Sequence, residues 1–355
     1  MKISKLLAIA LLNIIFFASC SNDDDVTNPA ALGAFENGFF VLNEGTSSEG
    51  TVTFVSNDLN KIQQDIYPTV NPGDDIGGFA QSIFYNGDNA YIISNGSNVI
   101  TVVNRYTFKR ITKIETGLAI PRYGVVVNGK AYITNANTYT NFDGSNPAGN
   151  TDDYLAVINL STNTLESPIA LNATADRITA HNGKLYIIES YNNSSVLVVN
   201  TATNTLETPI IIGDSANSME VLNGSLYVAR APYGESCKIV KVNLTDKTFT
   251  AIDLPSAQSE AKNLDIYNNK IYYTSGTSVF AMDVTATVAP SSSILTYDST
   301  SIYGQMYGFA VNNDRIFIAD GGDFAANSNT YVYTLSGTAL KTIEAGVGPN
   351  GFYFN

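Results

Sequence analysis

The sequence contains no tryptophan, one histidine and two cysteines among its 355 residues, and these shortages remove whole classes of chemistry. A single histidine, His181, cannot supply a cluster of histidine metal ligands. It also precedes an Asn-Gly turn, away from the loops where a Ser-His-Asp centre would be expected. Clusters of lysine or arginine are missing, and the net charge is −13, so the chain would repel nucleic-acid phosphates. We therefore expect no nucleic-acid partner and no histidine-based active site.

Long apolar runs are missing too, except near the N-terminus. The stretch "LLAIALLNIIFF" follows Lys2 and Lys5 and is short for a membrane span, which is typical of a secretion signal. It ends in "FFASC", which resembles the lipobox of bacterial lipoproteins. We expect residues 1–19 to be removed as a signal peptide and Cys20 to be acylated, which would anchor the protein without a transmembrane helix. An ordinary secretory signal is the alternative.

The next segment, "SNDDDVTNPA", is polar and acidic, and we predict that residues 20–33 form a flexible tether. An acidic run after the lipidated cysteine resembles the surface-export signal of Bacteroidota-type lipoproteins, which implies a lipid-anchored protein exposed on the outer membrane. A solvated linker without such a signal is the alternative. With Cys20 acylated, Cys237 has no partner for an intrachain disulfide.

One pattern recurs along the chain: an apolar strand, an Asn-Gly-type turn and a second apolar strand, as in "VVVNGKAYIT" and "ITAHNGKLYII". Asn-Gly between alternating apolar runs predicts a hairpin, because a type I′ turn needs positive φ at both central residues. The turn asparagines of the seven copies are Asn37, Asn86, Asn128, Asn182, Asn223, Asn268 and Asn312. A third strand, a polar turn and a fourth strand follow each hairpin. The fourth-strand segments "TNTLESPI" and "TNTLETPI" begin at residues 162 and 203, an interval of 41 residues that is typical of a propeller blade.

We therefore predict an all-β protein, a single seven-bladed β-propeller of four-stranded blades over residues 34–355. A single blade cannot bury both of its faces, so the ring must close. The C-terminal "GFYFN" aligns with the first strand of a blade. We expect Gly351–Asn355 to form the innermost strand of blade 1, completed by strands within residues 38–70. The alternative is that residues 31–36 supply this strand and the C-terminus only caps the ring.

Two family resemblances follow from these repeats. The absence of tryptophan removes the Trp-Asp signature of WD40 blades, whereas the pattern V-x-V-V-N-x-x-T resembles the YncE-like, or YVTN, seven-bladed propellers. The segments "FVLNEG" (Phe40–Gly45) and Ala80–Tyr123 resemble the DUF5074-type surface lipoproteins, which include BtuG-like proteins that capture cobalamin beside a TonB-dependent transporter. This resemblance implies a surface binding protein, with a corrinoid as the leading ligand, a TonB-dependent outer-membrane transporter as partner, and membrane contact through the lipid alone.

A binding face is predicted from the general layout of propellers. The loops that enter the innermost strands share one face with the loops between the second and third strands, and the Asn-Gly turns lie on the opposite face. These loops are rich in Asn, Gly and Tyr, which suits hydrogen bonding and aromatic packing against a small-molecule ligand or a partner. The aromatic residues predicted to line the channel mouth are Tyr123, Tyr191, Tyr233, Tyr303 and Phe324.

Three arginines, Arg122, Arg177 and Arg230, lie in the same loops. Each would either clamp a phosphate or carboxylate of a ligand or pair with an acid of a neighbouring blade, such as Glu189 or Asp176. The sequence leaves both roles open.

Other functions remain as alternatives to a ligand-binding protein. We predict no catalytic residues, but some related propellers are lactonases or quinoproteins, so a lactonase-like hydrolase is one alternative. A protein-interaction platform without a small-molecule ligand is another. No cofactor is expected, although the acid pairs Asp152/Asp153 and Asp320/Asp323 offer oxygen ligands for a structural calcium ion, without EF-hand spacing.

Overall fold

The computed structural model describes residues 31–138, 151–189 and 194–355, and its regular structure is almost entirely β-strand. Blade 1 contains β1 (Gly38–Asn43), β2 (Thr51–Ser56) and β3 (Ile62–Gln63). Blade 2 contains β4 (Ala80–Asn86), β5 (Asn89–Ser94), β6 (Val99–Asn104) and β7 (Arg110–Ile114). Blade 3 contains β8 (Pro121–Val127), β9 (Lys130–Asn135), β10 (Tyr154–Asn159), β11 (Thr164–Leu165) and β12 (Ile169–Ala170). Blade 4 contains β13 (Arg177–His181), β14 (Lys184–Ile188), β15 (Ser195–Asn200) and β16 (Thr205–Ile211).

The remaining blades follow the same plan. Blade 5 contains β17 (Ala216–Leu222), β18 (Ser225–Arg230), β19 (Lys238–Asn243) and β20 (Phe249–Asp253). Blade 6 contains β21 (Lys262–Tyr267), β22 (Lys270–Ser275), β23 (Ser278–Asp283) and β24 (Leu295–Thr296). Blade 7 contains β25 (Gly308–Asn312), β26 (Arg315–Ala319), β27 (Asn327–Thr334) and β28 (Ala339–Val347), and β29 (Pro349–Phe354) completes blade 1. The helical elements of the described ranges are α1 (Ile66–Val70) and a 3-10 turn (Ser256–Gln258).

These seven antiparallel sheets confirm the predicted seven-bladed β-propeller. Apolar side chains on both faces of the middle strands pack against the neighbouring blades, which is why strands such as β5 and β6 are buried along nearly their whole length. The buried core is accordingly divided into clusters between blades rather than concentrated at one centre. In the described residues, no helix is long and apolar enough to cross a membrane.

The C-terminal strand closes the ring, as predicted. β29 pairs antiparallel with β1, and Phe352 lies opposite Val41. The terminal Asn355 fixes this strand, because its Oδ1 accepts a hydrogen bond from Arg105 Nε at 2.8 Å and its Nδ2 donates to the Phe35 carbonyl at 2.6 Å. The alternative, in which residues 31–36 form the inner strand, is wrong. The ring of Phe35 instead packs into the cluster between blades 1 and 2.

The hairpin turns confirm most of the repeat. In blades 3, 4 and 5 an Asn-Gly pair occupies both central positions with positive φ, for example Asn128 at 50° and Gly129 at 77°. In blades 2 and 7 the turn begins one residue later than predicted, so Asn86 and Asn312 end their strands. Asn37 is not in a hairpin turn, because the strand before β1 comes from the C-terminus.

The repeated octapeptide forms the outer edge of blades 3 and 4. It contributes β11 and β12 in one blade and β16 in the other. Pro168 lies in the gap between β11 and β12, and Pro209 lies in the bulge where β16 shifts its register against β15. Proline has no amide hydrogen to donate to a neighbouring strand, so it is tolerated at such an edge.

Strand direction assigns every connection to one of two faces. Here the turn face carries the turns between first and second strands and between third and fourth strands, such as Asn128–Gly129 and residues 160–163. The loop face carries the segments that enter the inner strands β4, β8, β13, β17, β21, β25 and β29, together with the loops between second and third strands.

Candidate functional site

The inner strands surround a central channel and are joined to each other near the loop face. Side chains of one blade donate hydrogen bonds to backbone carbonyls of the next. Ser82 Oγ donates to the Arg122 carbonyl at 2.7 Å, and Asn350 Nδ2 donates to the Ala80 carbonyl at 2.8 Å. These bonds fix the blades relative to each other around the channel mouth.

Two cavities of about 230 and 220 Å³ lie in the channel. Arg177, Met219 and Tyr353 line both of them, so these three side chains separate the two spaces. The larger cavity, concave and lined mainly by aromatic and apolar groups with a few polar ones, has the usual form of a small-molecule site, whereas the other has a more polar lining.

Arg122 forms the ion pair that was one of its two predicted roles. Its Nε lies 2.9 Å from Asp176 Oδ1, and about a quarter of each side chain remains exposed. Blade 3 and blade 4 are therefore linked by this pair at the rim of the channel. Because both groups contact solvent, the pair adds little to the free energy of folding.

Tyr123 and Arg177 stack in the channel. The Arg177 guanidinium carbon lies 4.1 Å from the centre of the Tyr123 ring, close enough for a cation–π contact. The Tyr123 hydroxyl accepts a hydrogen bond from Gln81 Nε2 at 2.9 Å, and Gln81 Oε1 accepts one from Asn95 Nδ2 at 2.8 Å. Burial raises the pKa of Tyr123, so the phenol stays neutral.

Blades 7 and 1 place an aromatic and acidic group at the same mouth. The Tyr307 hydroxyl donates a hydrogen bond to Glu44 Oε2. Burial raises the pKa of Glu44, and the Tyr307 hydrogen bond opposes that rise. Phe324 packs edge-on against Tyr307 with the ring centres 4.9 Å apart, so this predicted mouth residue is part of the rim.

A pair of half-buried carboxyl groups, Glu220 and Asp265, lies where blades 5, 6 and 7 meet. Glu220 Oε2 accepts a hydrogen bond from the Ile266 amide, and Asp265 Oδ2 accepts one from the Val311 amide at 2.7 Å. Burial raises the pKa of both groups, and the negative charge of Asp265 adds to the rise for Glu220. At neutral pH this pair holds a proton.

The other predicted residues have different surroundings. Arg230 is buried, and its guanidinium packs against Gly213. Its Nε donates a hydrogen bond to the Asp214 carbonyl at 2.9 Å, so Arg230 stabilises the loop before β17. Tyr233 and Tyr303 extend fully into solvent, with relative exposures of 104% and 86%. Tyr191 and Cys20 lie outside the described residues. His181 ends β13 at the turn face, as predicted.

Unpaired buried polar atoms concentrate at the loop face. Six such side-chain atoms occur in the described ranges: Asn43 Oδ1, Tyr85 Oη, Asp152 Oδ1, Asp153 Oδ1, Arg177 Nε and Asn350 Oδ1. All except Tyr85 belong to residues at loop-face ends of strands or just before them. Buried polar atoms are normally hydrogen-bonded, so an unpaired group needs a specific explanation.

No group of three or more His, Cys, Asp or Glu side chains suited to a metal ion occurs in the part of the chain that the structure describes. The predicted calcium ligands Asp320 and Asp323 accept hydrogen bonds from protein donors: Asp320 Oδ1 from the Gly322 amide, and Asp323 Oδ1 from the Ala325 amide. Asp153 is buried among carboxylates, and burial raises its pKa to about 7.

Sequence analysis missed Glu44, Glu220, Asp265, Tyr307 and Tyr353. A signal for two of them exists in the repeat. Glu220 and Asp265 both lie three residues before the turn asparagine of their blades, in "MEVLNG" and "LDIYNN", within otherwise apolar strands. A charged residue at the same register of adjacent inner strands indicates a pair across the blade boundary.

Comparison with solved structures shows the propeller fold and no more, since sequence identity is low throughout. A quinonprotein alcohol dehydrogenase-like protein from Bacteroides thetaiotaomicron matches with a TM-score of 0.69 and 16% identity, over 90% of this chain and 78% of that one. Hydrazine synthase from Kuenenia stuttgartiensis matches with a TM-score of 0.61 and 13% identity, over 79% and 91%. Virginiamycin B lyase from Staphylococcus aureus matches with a TM-score of 0.58 and 11% identity, over 78% and 88%.

No curated protein sequence matches this chain. The family comparison is more specific, because a domain of unknown function, DUF5074, matches residues 37–354 and so spans every blade. The protein belongs to the DUF5074 family.

Proposed function

We propose that this protein is a lipid-anchored surface protein of the outer membrane that binds a small-molecule ligand on its loop face and passes it to a TonB-dependent transporter. The observation that carries the proposal is the concentration of unpaired buried polar atoms at loop-face ends of strands. Such atoms cost free energy in the folded protein, and a ligand that supplies the missing hydrogen bonds recovers part of that cost. The turn face has one such atom among the described residues.

A corrinoid is the leading ligand, through the resemblance to the BtuG-like proteins. The two segments that carry this resemblance contribute Glu44, Gln81, Arg122 and Tyr123 to the channel mouth. The mouth therefore offers aromatic rings, amides and one ion pair to a bulky, partly apolar molecule. Hot spots of binding energy are typically aromatic and arginine side chains of this kind.

Calorimetry with corrinoids tests the proposal. Tyr123→Ala and Arg122→Ala should each weaken binding about 30-fold, the equivalent of roughly 2 kcal/mol. His181→Ala, on the turn face, is the matched control and should bind as the wild type does. If His181→Ala weakened binding as much as Tyr123→Ala does, the ligand would not be bound at the loop face, and the proposed site would be wrong. Absence of corrinoid binding at millimolar concentration would rule out this ligand while leaving the fold unaffected.

The anchor is tested separately. Cys20→Ala should release the protein from the membrane, and protease added to intact cells should digest the wild-type propeller. A wild-type protein that is recovered free in the periplasm would contradict the proposed anchor.

A lactonase-like hydrolase is the second candidate, favoured by the carboxyl pair Glu220 and Asp265 in the channel. Carboxyl groups with raised pKa values act as general acids or bases near neutral pH. If the protein hydrolyses lactones, Asp265→Asn should abolish turnover, and Arg110→Gln on the outer strand of blade 2 should not. Lactone turnover that survives Asp265→Asn would exclude this mechanism.

A further inference from the structure

Arg177 occupies the centre of the channel as an uncompensated charge. It is the first residue of β13, and it lines both channel cavities. The guanidinium lies over the Tyr123 ring, and an arginine side chain stays protonated at any ordinary pH. The channel therefore carries a permanent positive charge between two small cavities.

The acid that stands next to Arg177 in the sequence is already engaged. Asp176 Oδ1 accepts the hydrogen bond from Arg122 Nε at 2.9 Å. Within residues 31–138, 151–189 and 194–355, Arg177 forms no ion pair, and its buried Nε has no hydrogen-bond acceptor. A buried guanidinium N–H without an acceptor costs free energy, and an anion held by the same guanidinium would offset part of that cost.

The cavity that Arg177 shares with Tyr123 has mostly aromatic and apolar walls, whereas the other cavity also has the polar side chains of Ser218, Asn263 and Asp265. Tyr123 lies beneath the guanidinium, and Ile178, Met219 and Tyr353 line the same cavity. Gly351 makes room for Tyr353, because a Cβ at position 351 would lie 2.9 Å from the Tyr353 ring and hydroxyl. Glycine at position 351 therefore allows the Tyr353 ring to lie against the inner strand and line the cavity.

We infer that Arg177 binds the carboxylate of a small organic acid whose body lies between Tyr123 and Tyr353. Guanidinium and carboxylate match each other in planar, two-bond geometry. One cation surrounded by neutral phenols balances a single negative charge. A phosphate dianion would need further cations, whereas Arg177 is the one Arg or Lys among the described residues that line the two cavities. The inference deepens the proposed function and rests on it, since a ligand held at the mouth would present this carboxylate to the channel.

The probes for the test are benzoate, acetate and inorganic phosphate, each titrated into the full chain at constant ionic strength. Calorimetry measures the affinity of each probe. We expect benzoate to bind more tightly than acetate. Arg177→Gln should weaken benzoate binding roughly 30-fold.

Two further variants keep the result interpretable. Arg177→Lys retains the charge but loses the planar fork, and it should weaken benzoate binding by about tenfold. Arg110→Gln is the matched control, because Arg110 is exposed on the outer strand of blade 2, and it should leave benzoate binding unchanged. Equal affinity in Arg177→Gln and the wild type would overturn the site.

The remaining outcomes separate this inference from the proposed function. Phosphate that binds in place of benzoate, and depends on Arg177, would overturn the carboxylate assignment. Failure of all three probes at tens of millimolar would overturn the inference. Corrinoid titration of the same preparation tests the proposed function separately, because Arg122→Ala should weaken corrinoid binding and leave benzoate binding unchanged, whereas Tyr123 belongs to both sites.

Discussion

The turn face and the loop face are built from the ends of the same strands, yet polar side chains are paired at the turn face and partly unpaired at the loop face. At the turn face of blade 3, Lys130 follows the hairpin turn and its Nζ lies 2.6 Å from Glu166 Oε2. In blade 4, Lys184 and Glu207 repeat this pair at 2.7 Å. Glu166 and Glu207 occupy the same position of the repeated octapeptide. The turn face therefore repeats the same Lys–Glu ion pair in blades 3 and 4.

The loop face repeats little and leaves groups unpaired. Asp153 is 3% exposed, and its Oδ1 has no hydrogen-bond partner, whereas its Oδ2 accepts a bond from the Ala175 amide. Arg177 and Asn350 add further unpaired atoms on the same side. Proteins depart from local consistency mainly at functional sites. The contrast teaches that the turn face pairs its polar side chains, whereas the loop face leaves some of them unpaired at a cost in stability, and this is the face of the proposed binding function.

The largest expected effect comes from opening the ring at blade 1. Deleting Gly351–Asn355 removes the strand that pairs with β1 and takes Phe352 out of the core between blades 7 and 1. We expect the cooperative thermal transition to be lost. Asn355→Ala, which removes only the side-chain bonds to Arg105 and Phe35, should lower the transition temperature while the fold persists. Unchanged unfolding of the truncated protein would contradict closure by β29.

The next effect is the stability cost of the loop-face carboxyl group Asp153. Burial raises the pKa of Asp153 in the folded state to about 7, well above the ordinary range of an aspartate, so the folded state holds this proton more tightly than the unfolded state does. The stability that the protonated Asp153 contributes is complete at low pH and is lost as the pH rises through 7. Asp153→Asn should therefore be more stable than the wild type at pH 8, on the order of 2 kcal/mol, and the gain should vanish towards pH 4. Thermal unfolding across this range measures it.

Glu166 is the turn-face control for that experiment. Its hydrogen bond and ion pair with Lys130 lower its pKa, so this carboxylate stabilises the folded state above its ordinary pKa and stops doing so as pH falls. Glu166→Gln should lose a little stability at pH 8, the opposite sign to Asp153→Asn. The same sign for both variants would remove the contrast between the faces.

A third prediction compares glycines of the two faces. Gly129 at the turn face has φ of +77° and open space around it, so Gly129→Ala should cost about 1 kcal/mol from backbone strain alone. Gly213 at the loop face has φ of +93°, and a Cβ there would lie 2.2 Å from the buried Arg230 guanidinium. Gly213→Ala should cost roughly 2–3 kcal/mol in chemical unfolding. Equal losses would mean that Arg230 moves aside freely.

The smallest expected effect is that of His181→Ala. The residue lies at the turn face, at the end of β13, and no hydrogen bond or ion pair of its side chain is present among the described residues. A surface change of this kind should alter the free energy of unfolding by less than about 0.5 kcal/mol. A larger loss in chemical unfolding would show that the turn face depends on more than its repeated pairs.

Sequence patterns predicted the fold better than the site. The fold depends on preferences of residues that are adjacent in the sequence, whereas the site depends on contacts between residues that are far apart in it. The hairpin at Asn128 and Gly129 depends on backbone preferences of adjacent residues, which are visible in the sequence. The displaced turns of blades 2 and 7 show the limit, since Asn86 and Asn312 fit the pattern but pair in their strands. Arg122 and Asp176 are 54 positions apart, and only the packing of blade 3 against blade 4 decided between a free arginine and an ion pair.

The sequence by itself determined the number of blades and their strand order and favoured the C-terminal strand as the closing strand, because alternating apolar residues and turn signals are local patterns that recur along the chain. Only the tertiary structure decided which side chains meet in the channel. Tyr353 comes from the closing strand, Tyr123 from blade 3 and Arg177 from blade 4, and nothing in their own strands distinguishes them. Their common surroundings arise from the closure of the ring, which brings residues far apart in the sequence to one channel.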